Sequence, residues 1–111
     1  MKLTGKAKGQ FEKWILRDPL SDWFKYDDEI CYAGLGLIEF HDLPNSMQWG
    51  VYQDWADSLG YELYVEKISP VEFDWCVDSL LRNIYDGRCK TRQEARTAAI
   101  EKLNELINEK A

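Results

Sequence analysis

The sequence is poor in the residues that build most small catalytic and metal sites. It contains one histidine, His41, and three cysteines that lie far apart in the chain. A nucleophile activated by histidine needs a local frame such as G-x-S-x-G, and no such frame is present. The cysteines form no C-x-x-C pair, and their spacing with His41 does not match a zinc finger. We therefore expect no enzymatic activity, no catalytic residue, no bound metal and no cofactor.

Disulfide and membrane signals are also missing. Cys31, Cys76 and Cys89 are an odd number of cysteines at wide spacing, which favours free thiols in a reducing compartment. No apolar run approaches the length of a membrane span. The first fourteen residues, MKLTGKAKGQFEKW, lack the apolar region of a signal peptide. These features predict a cytoplasmic protein with no membrane association.

An excess of basic residues is absent as well. The chain has 14 Lys and Arg against 20 Asp and Glu, which gives a formal net charge of -6. Binding to a nucleic-acid backbone or to an anionic membrane surface requires clustered positive charge. We therefore predict no direct contact with nucleic acid.

Aromatic residues, by contrast, are plentiful. Five Trp, six Tyr and four Phe occur in 111 residues. They indicate either a core built from large rings or exposed rings that anchor a partner. The length and a hydrophobic fraction of 45% predict a single globular domain, residues 1–111.

Hydrophobic periodicity predicts three helices, at 4–17, 45–59 and 92–109. Each begins at a capping residue, and these are Thr4, Asn45 and Thr91. Gln48 and Glu94 complete the capping-box spacing of the second and third helices. The third helix has an apolar face made of Ala95, Ala99, Ile100, Leu103, Leu106 and Ile107. These signals predict that this helix packs against a core.

Alternating patterns predict strands at 36–40, 61–68, 71–78 and 80–85. In VEFDWCVD, residues 71–78, every second side chain is apolar, which places Val71, Phe73, Trp75 and Val77 toward a core. Matching this face to 61–68 excludes a simple two-residue loop and predicts a loop with an odd number of residues. Glu66 would then lie opposite Glu72. Asp86-Gly87 is typical of a turn after the last strand.

The resulting expectation is an α+β fold. It comprises two N-terminal helices, an antiparallel hairpin or three-stranded meander, and a C-terminal helix packed on one sheet face.

The outward side of the predicted hairpin is strongly acidic. Its candidate binding residues are Glu62, Tyr64, Glu66, Glu72, Asp74 and Asp78. Facing carboxylates destabilise a sheet, so this surface is either a solvated face that keeps the sheet soluble or a docking surface for a basic partner. Such a surface could imitate the charge of nucleic acid. A calcium site is a third option, although no EF-hand spacing is present.

A basic cluster, which includes Arg82, Arg88 and Lys90, surrounds the start of the last helix. Thr91, Arg92 and Arg96 at this helix start form an alternative site for a small anion, because helix N-termini attract negative charge. Arg92 and Arg96 project toward the apolar side of the helix, where pairing with the hairpin acids is the simplest outcome.

Three segments resemble small uncharacterised proteins of phages and prophages. They are MKLTGKAKGQFEKW, DLPNSMQWGVYQDWADSLGYEL and KTRQEARTAAIEKLNEL. The resemblance covers three helices and one strand, and it brings no catalytic residue. It implies an accessory protein of a mobile element, a class in which small inhibitors of host machinery are common. We therefore expect a non-enzymatic protein that binds a basic surface of a host or phage protein, with a small-ligand or anion binder as the alternative.

Overall fold

The computed structural model describes residues 2–18, 21–34, 38–79 and 84–109. Its helices are α1 (Gly5–Ile15), α2 (Asn45–Ser58) and α3 (Arg92–Glu109). Its strands are β1 (Trp23–Tyr26), β2 (Glu29–Tyr32), β3 (Ile38–Glu39), β4 (Tyr61–Ser69), β5 (Glu72–Ser79) and β6 (Ile84–Cys89). Within these ranges the strands form two antiparallel sheets, ordered β1-β2-β3 and β4-β5-β6. The predicted α+β class is confirmed.

Helix α3 has the predicted bounds and the predicted buried face. All six residues of its apolar face are buried. The backbone N–H of Glu94 donates to the Thr91 hydroxyl at 3.1 Å, and that hydroxyl lies 3.1 Å from the Glu94 carboxylate. Thr91 therefore caps the helix as expected. The helix packs against β4, β5 and β6.

The core is built largely from rings, as one of the two interpretations of the aromatic content predicts. The largest fully buried side chains are Trp55, Tyr52, Phe40, Ile100, Leu103 and Val77. Phe11 lies 5.1–5.3 Å from the rings of Phe40, Tyr52 and Trp55, measured between ring centroids. These contacts join α1 and α2 into one core.

The prediction of two consecutive N-terminal helices is wrong, because a second sheet separates α1 from α2. Strands β1 and β2 form a hairpin whose turn residues, Asp27 and Asp28, have φ of 51° and 65°. Two successive positive φ angles are typical of a tight hairpin turn, and Asp tolerates this region better than most residues. The strand predicted at 36–40 appears as Ile38–Glu39, while residues 35–37 lie outside the described part of the chain.

The capping predictions for α1 and α2 are wrong. Thr4 precedes α1 without a side-chain cap, and its hydroxyl accepts a hydrogen bond from the Asn104 amide at 3.1 Å. Pro44 occupies the N-cap position of α2. Gln48 turns back to donate to the Leu43 carbonyl at 2.9 Å, and the side-chain Oδ1 of Asn45 accepts from Arg96 at 2.8 Å. Thr4 and Asn45 thus bind tertiary partners, and Gln48 binds the segment just before the helix, in place of the capping roles that local spacing predicts.

The β4–β5 hairpin matches the predicted faces with a different register. Two residues, Pro70 and Val71, connect the strands, and a β-bulge lies between Lys67 and Ser69. The bulge adds one residue to β4. Because of this extra residue, apolar residues of β4 lie opposite apolar residues of β5 even though the connecting loop has only two residues. Consequently Val71 is 67% exposed at the turn, whereas it was predicted to face the core.

Strand β6 corrects the turn predicted at Asp86-Gly87. Both residues lie within the strand, where Asp86 is opposite Cys76 and Gly87 is opposite Trp75. Most of the strand predicted at 80–85 lies outside the described residues, which resume at Ile84. Because β6 runs to Cys89, the sheet has a third row of outward side chains, which forms part of the site described below.

Candidate protein-interaction face

The sheet β4-β5-β6 has one covered face and one open face. Leu63 and Val77 lie opposite each other on the covered face, where both are buried. The open face carries the alternate side chains of each strand. These are Glu62, Tyr64 and Glu66 of β4, Glu72, Asp74, Cys76 and Asp78 of β5, and Ile84, Asp86 and Arg88 of β6. We name this set the acidic sheet face, and it contains all six binding residues predicted from the sequence.

The register decides which charges face each other. Glu66 is opposite Asp74, and Glu62 is opposite Asp78. The predicted pairing of Glu66 with Glu72 is therefore wrong, because β5 lies two residues away from the register expected from the sequence. The structure still brings four carboxylates into two facing pairs. Like charges in facing positions destabilise an antiparallel sheet.

Arg88 neutralises one end of the acidic sheet face. Its Nε donates to Asp74 at 2.7 Å and its NH1 donates to Glu72 at 2.9 Å. The hydrogen bond and charge of Asp74, together with the charge of Glu72, raise the pKa of the guanidinium. All three side chains are partly exposed, so solvent screens both ion pairs and each contributes little to stability.

The rest of the face has no such compensation. No ion pair engages Glu62, Glu66, Asp78 or Asp86 within the described residues. The face as a whole carries six carboxylates and one guanidinium, a formal charge of -5. This approaches the formal charge of the entire chain, which is -6.

Tyr64 and Cys76 occupy the centre of the face. They are opposite each other on β4 and β5. Tyr64 is 42% exposed, whereas Cys76 is only 5% exposed beneath its neighbours. A side-chain hydrogen bond with Cys76 raises the pKa of Tyr64 to about 12, with the nearby acids acting in the same direction. The phenol thus stays neutral and presents a ring in the middle of negative charge.

Sequence reasoning missed the β6 row of this face. Ile84, Asp86 and Arg88 point outward, and Ile84 is 63% exposed. The alternation of IYDGRC could have identified them, but the Asp-Gly dipeptide favoured a turn. The antiparallel pairing of this stretch with β5, in which Gly87 lies opposite Trp75, makes it a strand.

The alternative anion site uses residues that are engaged elsewhere. Arg96 donates to Asn45 and lies 6.0 Å from the Trp49 ring centroid. Its Nε atom is shielded from solvent, and burial lowers the pKa of the guanidinium. Arg92 lies 5.4 Å from the Phe73 ring centroid. The expected pairing of Arg92 and Arg96 with hairpin acids is thus replaced by ring contacts, and Arg88 makes the acid pairs. Arg82 lies outside the described residues.

The groove beside Thr91 is also poorly suited to an anion. It contains Glu94 and Glu101 among its lining residues and no cationic side chain. These two carboxylates, of which Glu94 lies in the first turn of the helix and Glu101 near its middle, would repel a negative ligand. These contacts favour a structural role for Thr91, Arg92 and Arg96.

The residues with possible metal or nucleophilic chemistry lie apart. Cys31 and Cys76 are buried and Cys89 is half-buried, each as a free thiol. In the described part of the chain no three His, Cys, Asp or Glu side chains are arranged to hold a metal ion. His41 lines a pocket of about 100 Å³ with Phe11, Phe40 and Tyr52. Burial lowers the pKa of His41, so the imidazole is neutral near pH 7.

Comparison with protein-family models, curated proteins and solved structures found no match to this chain. Among the described residues, no helix combines the length and the apolar character needed to cross a membrane.

Proposed function

We propose that this chain is a non-enzymatic, cytoplasmic binding protein whose acidic sheet face docks on a basic surface of another protein. The observation that carries the proposal is a sheet face that no other described element covers, with six carboxylates, one guanidinium and an exposed central tyrosine. Electrostatic complementarity of this kind accelerates association and selects partners. Tyr64 supplies the ring that commonly anchors an interface.

The partner class follows from the charge and from the resemblance of the sequence to phage and prophage proteins. A surface that attracts acidic groups occurs on proteins that process nucleic acids, because they must hold phosphates. The proposal is therefore an accessory protein of a phage or mobile element that inhibits a host nucleic-acid-processing system. It would occupy the basic surface that otherwise holds nucleic acid.

The first half of the test measures stability in a charge-neutralised variant. Glu62→Gln, Glu66→Gln and Asp78→Asn remove both facing carboxylate pairs and leave Arg88 with its two partners. Each relieved repulsion should raise the free energy of unfolding by about 0.2–1 kcal/mol. Neutralising Glu72 and Asp74 instead would break the contacts of Arg88 and obscure this gain.

The second half measures binding. The wild-type protein is used to recover a partner from bacterial lysate, and the affinity of that partner is then measured at low and high salt. We expect the triple variant to bind more weakly, with a slower association rate and a smaller salt dependence. A matched control, Asp27→Asn, Asp28→Asn and Glu101→Gln, removes the same charge from exposed positions outside the face.

The alternative is a solvated face that only maintains solubility. It predicts the same stability gain without any loss of binding. Equal affinities for wild type, triple variant and control at both salt concentrations would therefore contradict the proposed function.

A further inference from the structure

A second surface lies on α1, α2 and β1, and it uses none of the residues of the acidic sheet face. It is a groove of about 600 Å³. The lining residues that matter here are Trp14, Arg17, Trp23, Val51, Asp54 and Asp57. We infer that this groove, named the tryptophan groove, binds an arginine-rich segment of a partner protein. The inference stands independently of the proposed function.

The ring surfaces of the groove are held in place by the core. The centroid of Trp23 lies 4.8 Å from that of Tyr32 and 5.7 Å from that of Phe40. The ring centroid of Trp14 lies 6.2 Å from that of Phe11. Both indoles are only partly buried, so they present fixed ring surface to the groove. Indole faces are the best aromatic partners for a guanidinium.

The groove already contains one guanidinium. Arg17 lies 4.3 Å from the Trp14 ring centroid, and its NH1 donates to the Trp14 carbonyl at 2.7 Å. This contact shows that the indole face and backbone at this position accept the chemistry of an arginine side chain. An arginine from a partner would meet the same groups once it displaces Arg17.

The charge of the groove favours a cationic ligand. Asp54 and Asp57 are exposed on α2, and neither is in an ion pair within the described residues. Asp57 lies in the last turn of the helix, which contains no basic residue. A carboxylate at the negative end of a helix dipole is unfavourably placed, and an incoming cation relieves that repulsion. An arginine-rich segment supplies that cation together with a planar group for the rings.

The first test uses an oligo-arginine peptide as the probe and isothermal titration calorimetry on the full chain. Asp54→Asn with Asp57→Asn should weaken binding by about fivefold, because the change removes two exposed charges that attract the peptide. Asp27→Asn with Asp28→Asn is the matched control, because both positions are exposed and Asn tolerates their positive φ. We expect the control to change affinity by less than about twofold. Equal weakening in the two variants would overturn the inference.

The second test removes the resident cation. Arg17→Gln frees the Trp14 face and makes the groove more negative, so affinity for the peptide should rise by about two- to fivefold. Lys13→Gln removes an equal charge from an exposed position of α1 that does not line the groove. A rise that is the same for both variants, or no rise for Arg17→Gln, would contradict specific occupation of the groove.

Failure of this inference is distinguishable from failure of the proposed function. The triple variant of the acidic sheet face is titrated with the same peptide. Weakening in the sheet variant alone assigns the peptide to the sheet face and overturns the tryptophan groove. Weakening in the groove variant alone supports the groove.

Discussion

The substitution Gly87→Ala, which adds a single methyl group, tests how closely Trp75 of β5 packs on β6. A Cβ added there would lie 2.5 Å from Nε1, 2.7 Å from Cε2 and 2.9 Å from Cζ2 of Trp75. All three distances are shorter than real Cβ contacts. The indole of Trp75 therefore covers Gly87 across the β5–β6 pair, and cross-strand cover of a glycine by an aromatic ring is a known stabilising device.

The expected magnitude follows from two opposing effects. Forcing a methyl group against the indole should cost about 1–3 kcal/mol. Replacing glycine in a strand interior recovers about 0.5–1 kcal/mol of conformational entropy. In wild-type protein we expect Gly87→Ala to lower the free energy of unfolding by about 1–2 kcal/mol. In a Trp75→Ala background the overlap is absent, and the same change should stabilise by about 0.5 kcal/mol.

The double-mutant cycle is measured by urea unfolding followed by far-ultraviolet circular dichroism, because Trp75→Ala alters the fluorescence. The two residues should be coupled by about 1.5–2.5 kcal/mol. Trp75→Ala alone should cost less than the 3–5 kcal/mol of a fully buried tryptophan, because Trp75 is only half-buried. An equal cost of Gly87→Ala in both backgrounds would refute the placement of Gly87 beneath the indole.

Three further predictions concern titration and thiol chemistry. Tyr64 should ionise near pH 12. Because the pKa is raised in the folded protein, the contribution of Tyr64 to stability should be lost as the pH rises from about 10 to 12. Cys76→Ala should lower the pKa of Tyr64, as measured by spectrophotometric titration. His41 has a lowered pKa, so stability should fall as the pH drops below about 6.5, and thermal unfolding of His41→Gln should show a smaller fall. Native protein should react with a thiol reagent first at half-buried Cys89, and unfolded, unreduced protein should titrate with three free thiols; a single free thiol would contradict the predicted absence of disulfides.

The third helix shows what could be predicted from the sequence. Its cap, its bounds and all six buried residues follow from signals that act within one element. Gly60, two residues after the end of α2, has φ of 85°, a conformation that glycine adopts without strain. Local hydrogen bonds and a period of 3.6 residues are sufficient at these positions, because no distant residue competes for the groups involved.

The first sheet shows where local reasoning is insufficient. Strands β1 to β3 are only two to four residues long, and their turn is Asp27-Asp28 without a glycine. Such short strands carry almost no periodicity, and their pairing is stabilised by ring contacts between residues that are not neighbours in the sequence, as in the contact of Trp23 with Phe40. Asn45 likewise takes a tertiary partner, Arg96, in place of a capping role, and Gln48 turns back to Leu43 in the segment before the helix.

In the candidate site, too, some features follow from the local sequence pattern and others depend on tertiary contacts. Alternation along β4 and β5 was enough to predict that Glu62, Tyr64, Glu66, Glu72, Asp74 and Asp78 share one face, because side-chain direction in a strand depends only on parity. Which of these carboxylates face each other depended on a bulge beside Lys67, and a bulge leaves no reliable mark in the sequence. The third row and its Arg88 contacts required Gly87 to pair with Trp75. The negative charge of the acidic sheet face was therefore determined by the sequence alone. The pairing of its strands, its third row and the neutralisation of one end by Arg88 were decided by the tertiary structure, because they depend on contacts between strands that the sequence pattern does not specify.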